Sequence, residues 1–184
     1  MFARFLKKSS PPVPVAAPAD LAATMYLSGY CLAHALWCVA DGEVLIPFVG
    51  ESLPGNRRLL TRFAHEYLED GIQAAWLRLA ENPEQALAAV AVHDGYISLP
   101  EGKTDALLAN ICLYGTMPKK LDLALPYRHA HAPQPFAVHR PKLLAYEGFA
   151  EEPDWAAVFE AFFDGVAAHE QGAAIWQQAL DESC

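Results

Sequence analysis

The chain has 184 residues, enough for one domain that buries roughly 70% of its unfolded surface, so it needs neither disulfides nor a structural metal to fold. It is 53% hydrophobic and 11% aromatic, which excludes a largely disordered chain. Its net charge is −9, and no Lys or Arg follows Lys142 while nine acids do; a nucleic-acid binder needs clustered cations, so DNA and RNA are excluded as partners.

The first nineteen residues open with "MFARFLKKSS", basic and partly apolar, and continue with "PPVPVAAPAD". A secretory leader would follow the basic start with an apolar core. Four prolines break any helix there, so residues 1–19 read as a flexible, Pro-rich tail ahead of a domain over 20–184.

"LAATMYLSGYCLAHALWCVA", residues 21–40, holds no charged residue and is bracketed by Asp20 and Asp41. It has the length of a membrane span. Its polar content (Thr24, Tyr26, Ser28, Gly29, Tyr30, His34), its alanine richness and its acidic flanks fit a core helix better. A helix apolar nearly all round must be covered on most sides, which predicts a second subunit and a homodimer.

"EVLIPFVG", 43–50, reads as an edge or bulged strand interrupted by Pro47, and "SLPGN" as a turn. Leu59, Leu60, Phe63, Tyr67, Leu68 and Ile72 recur at three- and four-residue steps and predict a helical region from Arg57 to Glu81. From about Ala88 the period becomes two. "AVAVH" is a strand, Asp94-Gly95 a hairpin turn, "YISLP" the return and "EGK" a second turn. "TDALLANICLY", "KLDLALPYR" and "FAVHRPKLLAYEG" supply further strands, the first of them ambiguous between helix and strand. Pro153 to about Leu180 is helical, with an apolar stripe through Trp155, Val158, Phe159, Phe162, Val166, His169 and Trp176 and a bend or break near Gly172. The layout predicts an α+β fold: a mostly antiparallel sheet of about five to six strands, with N-terminal helices and a C-terminal helix packed on it.

Gly102-Lys103-Thr104 resembles the end of a phosphate-binding loop. That loop needs a glycine five residues before Gly102, where Ile97 stands, and Pro100 removes a backbone donor. No nucleotide is expected. The four cysteines, Cys31, Cys38, Cys112 and Cys184, form no CxxC pair. On a helix Cys31 and Cys38 stand about 10.5 Å apart in rise, too far for a disulfide. Reduced cysteines predict a cytoplasmic protein. Cys31, His34 and Cys38 share a helix face; a Cys–His nucleophile is conceivable there, but no orienting acid is near, and a histidine bonded to Tyr26 or Tyr30 is the simpler expectation.

His129 and His131 lie on one side of an extended chain and His139 follows eight residues later. Three histidines could hold a zinc with an open position, with Asp94, Asp122 or Glu147 as fourth ligand or general base, which would make a small metal-dependent hydrolase. Alternatively Tyr96, Lys103, Asp105, Tyr114, Arg140 and Trp155 would line a pocket for a small ligand between sheet and helix. No GxSxG, HExxH, kinase set or dinucleotide fingerprint occurs. The leading expectation is therefore a non-catalytic protein-interaction module, adaptor- or immunity-like, without a cofactor. Its partner would be a protein whose basic surface matches the acidic C-terminal region.

Overall fold

A computed structural model describes residues 20–100 and 102–182; the tail expected over 1–19 lies outside the described residues. The chain has an α+β architecture in which four helices pack on a mostly antiparallel sheet. In chain order these are α1 (Leu21–Val39), β1 (Phe48–Leu53), β2 (Arg57–Arg62), α2 (Leu68–Glu81), β3 (Ala88–Leu99), β4 (Gly102–Leu113), β5 (Lys119–Arg128), β6 (Ala137–Val138), β7 (Lys142–Glu147), α3 (Trp155–Ala167) and α4 (Glu170–Ala179). The strands are ordered β2-β1-β3-β4-β5-β6, and β7 also pairs with β5.

The uncharged run forms α1. Asp20 caps it by accepting from the Ala22 amide at 3.1 Å, and Thr24 and Ser28 donate back to carbonyls four residues earlier. Those bonds remove the cost of burying two hydroxyls. Eleven of its nineteen residues are buried, so coverage from a single side would not suffice. The sheet covers one side and α3 and α4 the other. A second subunit is therefore not needed to cover α1. Among the described residues no helix is long and apolar enough to cross a membrane.

This three-layer contact depends on missing side chains. A Cβ on Gly29 would run into the Phe162 carbonyl of α3, and a Cβ on Gly165 would run into the Tyr26 carbonyl of α1. Gly172 of α4 meets the Ala33 carbonyl in the same way. Glycine at these points lets helix backbones approach to a distance no other residue permits.

The two sheet faces differ. Val90, Val92, Leu107, Ile111, Leu121, Leu123, Leu125 and Tyr127 face α1 and α3 and form the main core. On the opposite face small residues, Ala89 and Ala91, receive Ala75 of α2 in a second, smaller cluster. There Glu51 of β1, 1% exposed, accepts from Arg78 of α2 at 2.7 and 3.0 Å. A buried carboxylate is tolerated only with such a partner. The pair pins α2 over β1 and β3, leaving β4, β5 and β7 uncovered on this face.

Three local expectations are corrected. Residues 57–62 are strand β2, not helix: "PGN" closes a hairpin onto β1, with Gly55 and Asn56 both at positive φ, and the helix begins only at Leu68. Asp94-Gly95 is not a turn. Strand β3 runs straight through it, its ladder to β4 unbroken at Asp94–Leu107 and Gly95–Ala106, and the Leu108 side chain fills the space that a Cβ on Gly95 would take. The C-terminal helix breaks before Gly172, at His169, whose imidazole caps α4 by accepting from the Gly172 amide at 3.0 Å. The ambiguous segment around 105–114 is strand, within β4.

Gly165→Ala should destabilise the protein by about 1–3 kcal/mol through overpacking, whereas Gly115→Ala, with no atom within 4 Å of its would-be Cβ, should be neutral or mildly stabilising. Urea unfolding of the two variants beside wild type checks the contrast.

Candidate functional site

Strand β2 is the outer strand of the sheet and pairs only with β1. Its sequence, "RRLLTR", carries three cations and no acid. Among the described residues none of Arg57, Arg58 and Arg62 has a carboxylate within 4 Å. Leu59 and Leu60 are 37% and 38% exposed. The register sets Arg62, Leu60 and Arg58 opposite Phe48, Gly50 and Ser52, so these three side chains lie on the α1 face. Arg58 stacks over the Tyr26 ring at 4.9 Å, and Arg62 Nη2 reaches His34 Nε2 at 3.2 Å. A hollow of about 590 Å³ between α1, β2 and Asp164 is lined by Tyr26, Arg57 and Arg58.

The contacts of His34 pull its ring proton in opposite directions. His169 Nδ1 accepts from the Gly172 amide, so neutral His169 carries its proton on Nε2 and donates it to His34 Nδ1 at 3.1 Å. Arg62, which can only donate, also reaches His34 Nε2 at 3.2 Å, so the two contacts compete: the His169 bond favours the His34 proton on Nε2 and the Arg62 bond favours it on Nδ1, with Cys38 Sγ 3.9 Å from Nε2. Burial, the neighbouring His169 and Arg62 together push the His34 pKa down to about 4. Burial likewise raises the Cys38 thiol, against the opposing pull of Arg62. The lowered His34 and the raised Cys38 both oppose a thiolate–imidazolium pair, the arrangement that an activated Cys–His nucleophile uses. Its hydrogen-bonding partner is His169 rather than Tyr26 or Tyr30, with the Tyr30 ring packed against His169 at 5.0 Å. The cluster places the Arg62 guanidinium, His34 and Cys38 together beside β2, next to a hollow of about 300 Å³ also bordered by Asp41 and Glu43.

On the other face, the uncovered half of the sheet and the flank of α2 bound an open cleft of about 710 Å³. Trp76 and Leu79 form its helix side; Asn110, Cys112, Lys120 and Asp122 form its floor. The Trp76 indole donates to Asn110 Oδ1 at 2.8 Å, and the Asn110 amide donates to Asp122 Oδ1 at 2.8 Å. Tyr114 borders the cleft and donates its hydroxyl to the Leu79 carbonyl.

The residues proposed for a ligand pocket fall in separate places. Lys103 sits over the Tyr96 ring at 3.2 Å near the β3–β4 turn, and Asp105 is paired with Tyr96 across the ladder. Tyr114 is at the cleft. Arg140 is bound to Glu182 at 3.0 Å beside a hollow of about 380 Å³ lined by Phe159, Phe163 and Trp176. Trp155 packs on Tyr146 and donates to Glu152. Gly102, Lys103 and Thr104 simply open β4.

The histidines divide similarly. His129 and His131 lie side by side with ring centroids 5.0 Å apart, but His139 is buried with Nδ1 against the Asp181 carbonyl at 3.0 Å. Among the described residues no group of three His, Cys, Asp or Glu side chains is placed to hold a metal ion. Of the acids considered with them, Asp94 accepts from the Tyr127 hydroxyl at 3.0 Å and is pushed up mainly by burial, Asp122 lies in the cleft, and Glu147 pairs with Lys120.

The β2 arginines were missed because a helical period was read through them; the "PGN" turn between two six-residue runs was the available signal. The His34–His169 pair, 135 residues apart, leaves no local trace. No protein-family model matches the chain, and neither a curated protein nor a solved structure is significantly similar to it.

The lowered pKa values of His34 and His169 predict a pH-dependent stability. A histidine that must stay neutral when folded contributes fully above its ordinary value of 6.5, and the contribution is lost as pH falls toward about 4. Urea midpoints measured between those limits should drop with acidity, and His34→Gln should flatten, without abolishing, that dependence.

Proposed function

We propose that this protein is a non-catalytic interaction module that takes up an extended, acidic segment of a protein partner as an added strand on β2. One observation carries the reading: an outer strand with an open hydrogen-bonding edge concentrates three arginines that have no acidic partner among the described residues, in a chain of net charge −9. Main-chain bonds to an exposed edge give affinity, and alternate side chains give specificity. Carboxylates on one side of the incoming strand would meet Arg58 and Arg62, four residues apart on the same face.

The expectation of a basic partner rested on the C-terminal acids, but many of them are already engaged. Glu147 binds Lys120, Asp154 caps α3, Asp181 binds Arg128 and Glu182 binds Arg140. β2 is the strand that gathers cations without an acid of its own. A second copy is a poor occupant of this edge: full-length antiparallel pairing of two β2 strands sets Arg57 of each opposite Arg62 of the other, and like charges directly opposite destabilise a ladder. The thiols of Cys31, Cys38 and Cys112 are all unpaired, which suits a reducing compartment such as the cytoplasm.

A capped peptide of about seven residues alternating glutamate and valine, long enough to match the strand, provides the probe. Fluorescence anisotropy should report binding that weakens with salt and falls at least about tenfold in the Arg58→Glu/Arg62→Glu variant. The lysine counterpart and a backbone-N-methylated version of the acidic peptide should not bind. Equal binding of the acidic and basic peptides, or an unaffected double variant, would sink the reading.

A further inference from the structure

The cleft on the opposite face is a second site, independent of β2, and its chemistry points to a different ligand. Asn110 is fully committed: its carbonyl accepts from Trp76 and its amide donates to Asp122 Oδ1. That relay holds the Asp122 carboxylate in one orientation. Among the described residues its second oxygen, Oδ2, has no hydrogen-bond partner. Lys120, on the same face two residues earlier, is taken by Glu147 at 2.8 Å, so the pair is neutral as a unit and the cleft keeps one uncompensated negative charge.

Shape agrees with charge. Ala145 stands opposite Asp122 in the β5–β7 ladder, so only a methyl group borders the carboxylate on that side. The Trp76 indole is 46% exposed and forms the helix side of the cleft together with Leu79. The His93 ring packs on the indole at 5.5 Å, while Trp76 also lines the cleft; a carboxylate in a cleft bordered by an indole favours an organic cation, through a charge-assisted hydrogen bond and through the ring's quadrupole.

We propose that this cleft binds a small primary amine carrying an apolar or aromatic body. Its ammonium donates to Asp122 Oδ2 and its body lies against Trp76 and Leu79. Neither the partner strand on β2 nor any metal is involved.

Phenethylammonium is a suitable probe, followed through the Trp76 indole N–H signal in two-dimensional NMR of the full chain. The signal should move saturably with phenethylammonium. It should stay still with hydrocinnamate, which keeps the ring and tether but carries a carboxylate. Asp122→Asn should weaken binding about tenfold by removing the charged acceptor. Because that change also touches the Asn110 relay, Ala145→Leu serves as a second variant. It leaves Asp122 intact, sits at an exposed position of an outer strand, and should abolish binding by filling the space beside the carboxylate. The proposal is overturned if phenethylammonium leaves the wild-type signal unmoved, if hydrocinnamate moves it equally, or if Ala145→Leu binds like wild type.

Discussion

The near-contact of the α1 and α3 backbones at Gly29 and Gly165 is the constraint on which the rest of the structure depends. Each glycine sits against a carbonyl of the opposing helix, so the crossing is closer than any pair of side-chain-bearing residues allows. Only at that separation can α1 lie between the sheet and the α3–α4 layer while both its sides stay dry. The absence of charge over residues 21–40 follows from this position, since a charge on either side would be buried without a partner. Gly172 repeats the device where α4 meets Ala33, and its amide is also the donor that fixes the His169 tautomer. The same residue thus sets a helix packing distance and the tautomer of His169.

The second face is organised by different chemistry. Here the sheet offers alanines and one buried carboxylate, not large aliphatic side chains, and α2 is attached through Arg78 and Glu51. A buried ion pair adds little net stability compared with a hydrophobic contact, but it positions strongly, because either member left alone is costly. Its position on β1 places α2 over β1 and β3. Everything beyond, from Asn110 to Glu147, stays open. The cleft is therefore a consequence of where one glutamate falls in β1, and its contents, an indole, an amide and a carboxylate in a hydrogen-bonded row, are the polar residues that an uncovered sheet face permits.

Much of the fold was legible in the sequence because its signals are local. The uncharged run of α1, the alternation of β5 and the apolar stripe of the C-terminal helices each report their own environment. The errors arose where a local signal was overruled by a distant contact. Leu59, Leu60 and Phe63 have helical spacing, yet pairing with β1 claims the first two for a strand. Asp94-Gly95 has the composition of a turn, yet pairing with Leu107 and Ala106 of β4 keeps it extended. The candidate sites were less legible still. His34 and His169 meet only because α4 folds back on α1, and Asn110 finds Trp76 only because α2 lies across the sheet. Conversely, His139 lies near His129 in sequence but is drawn to the Asp181 carbonyl, since Leu180 bridges Val138 and ties the end of the chain to β6.

Charge on an outer strand has two physical uses, and they predict different patterns. Charge that only discourages edge pairing works with either sign, and is most effective where its neighbours are polar. On β2 the three arginines flank two exposed leucines, and Arg58 and Arg62 lean onto aromatic rings and an imidazole of α1 instead of extending into solvent. An apolar centre between cations sets like charges against a second β2 strand and would suit an acidic one, the pattern on which the proposed function rests. The opposite edge offers a comparison. On β7, Lys142 and Glu147 carry charges of opposite sign, and Glu147 is bound to Lys120. That edge has no net charge to advertise. The two outer strands thus differ in charge: β7 carries one cation and one acid, β2 three cations and no acid.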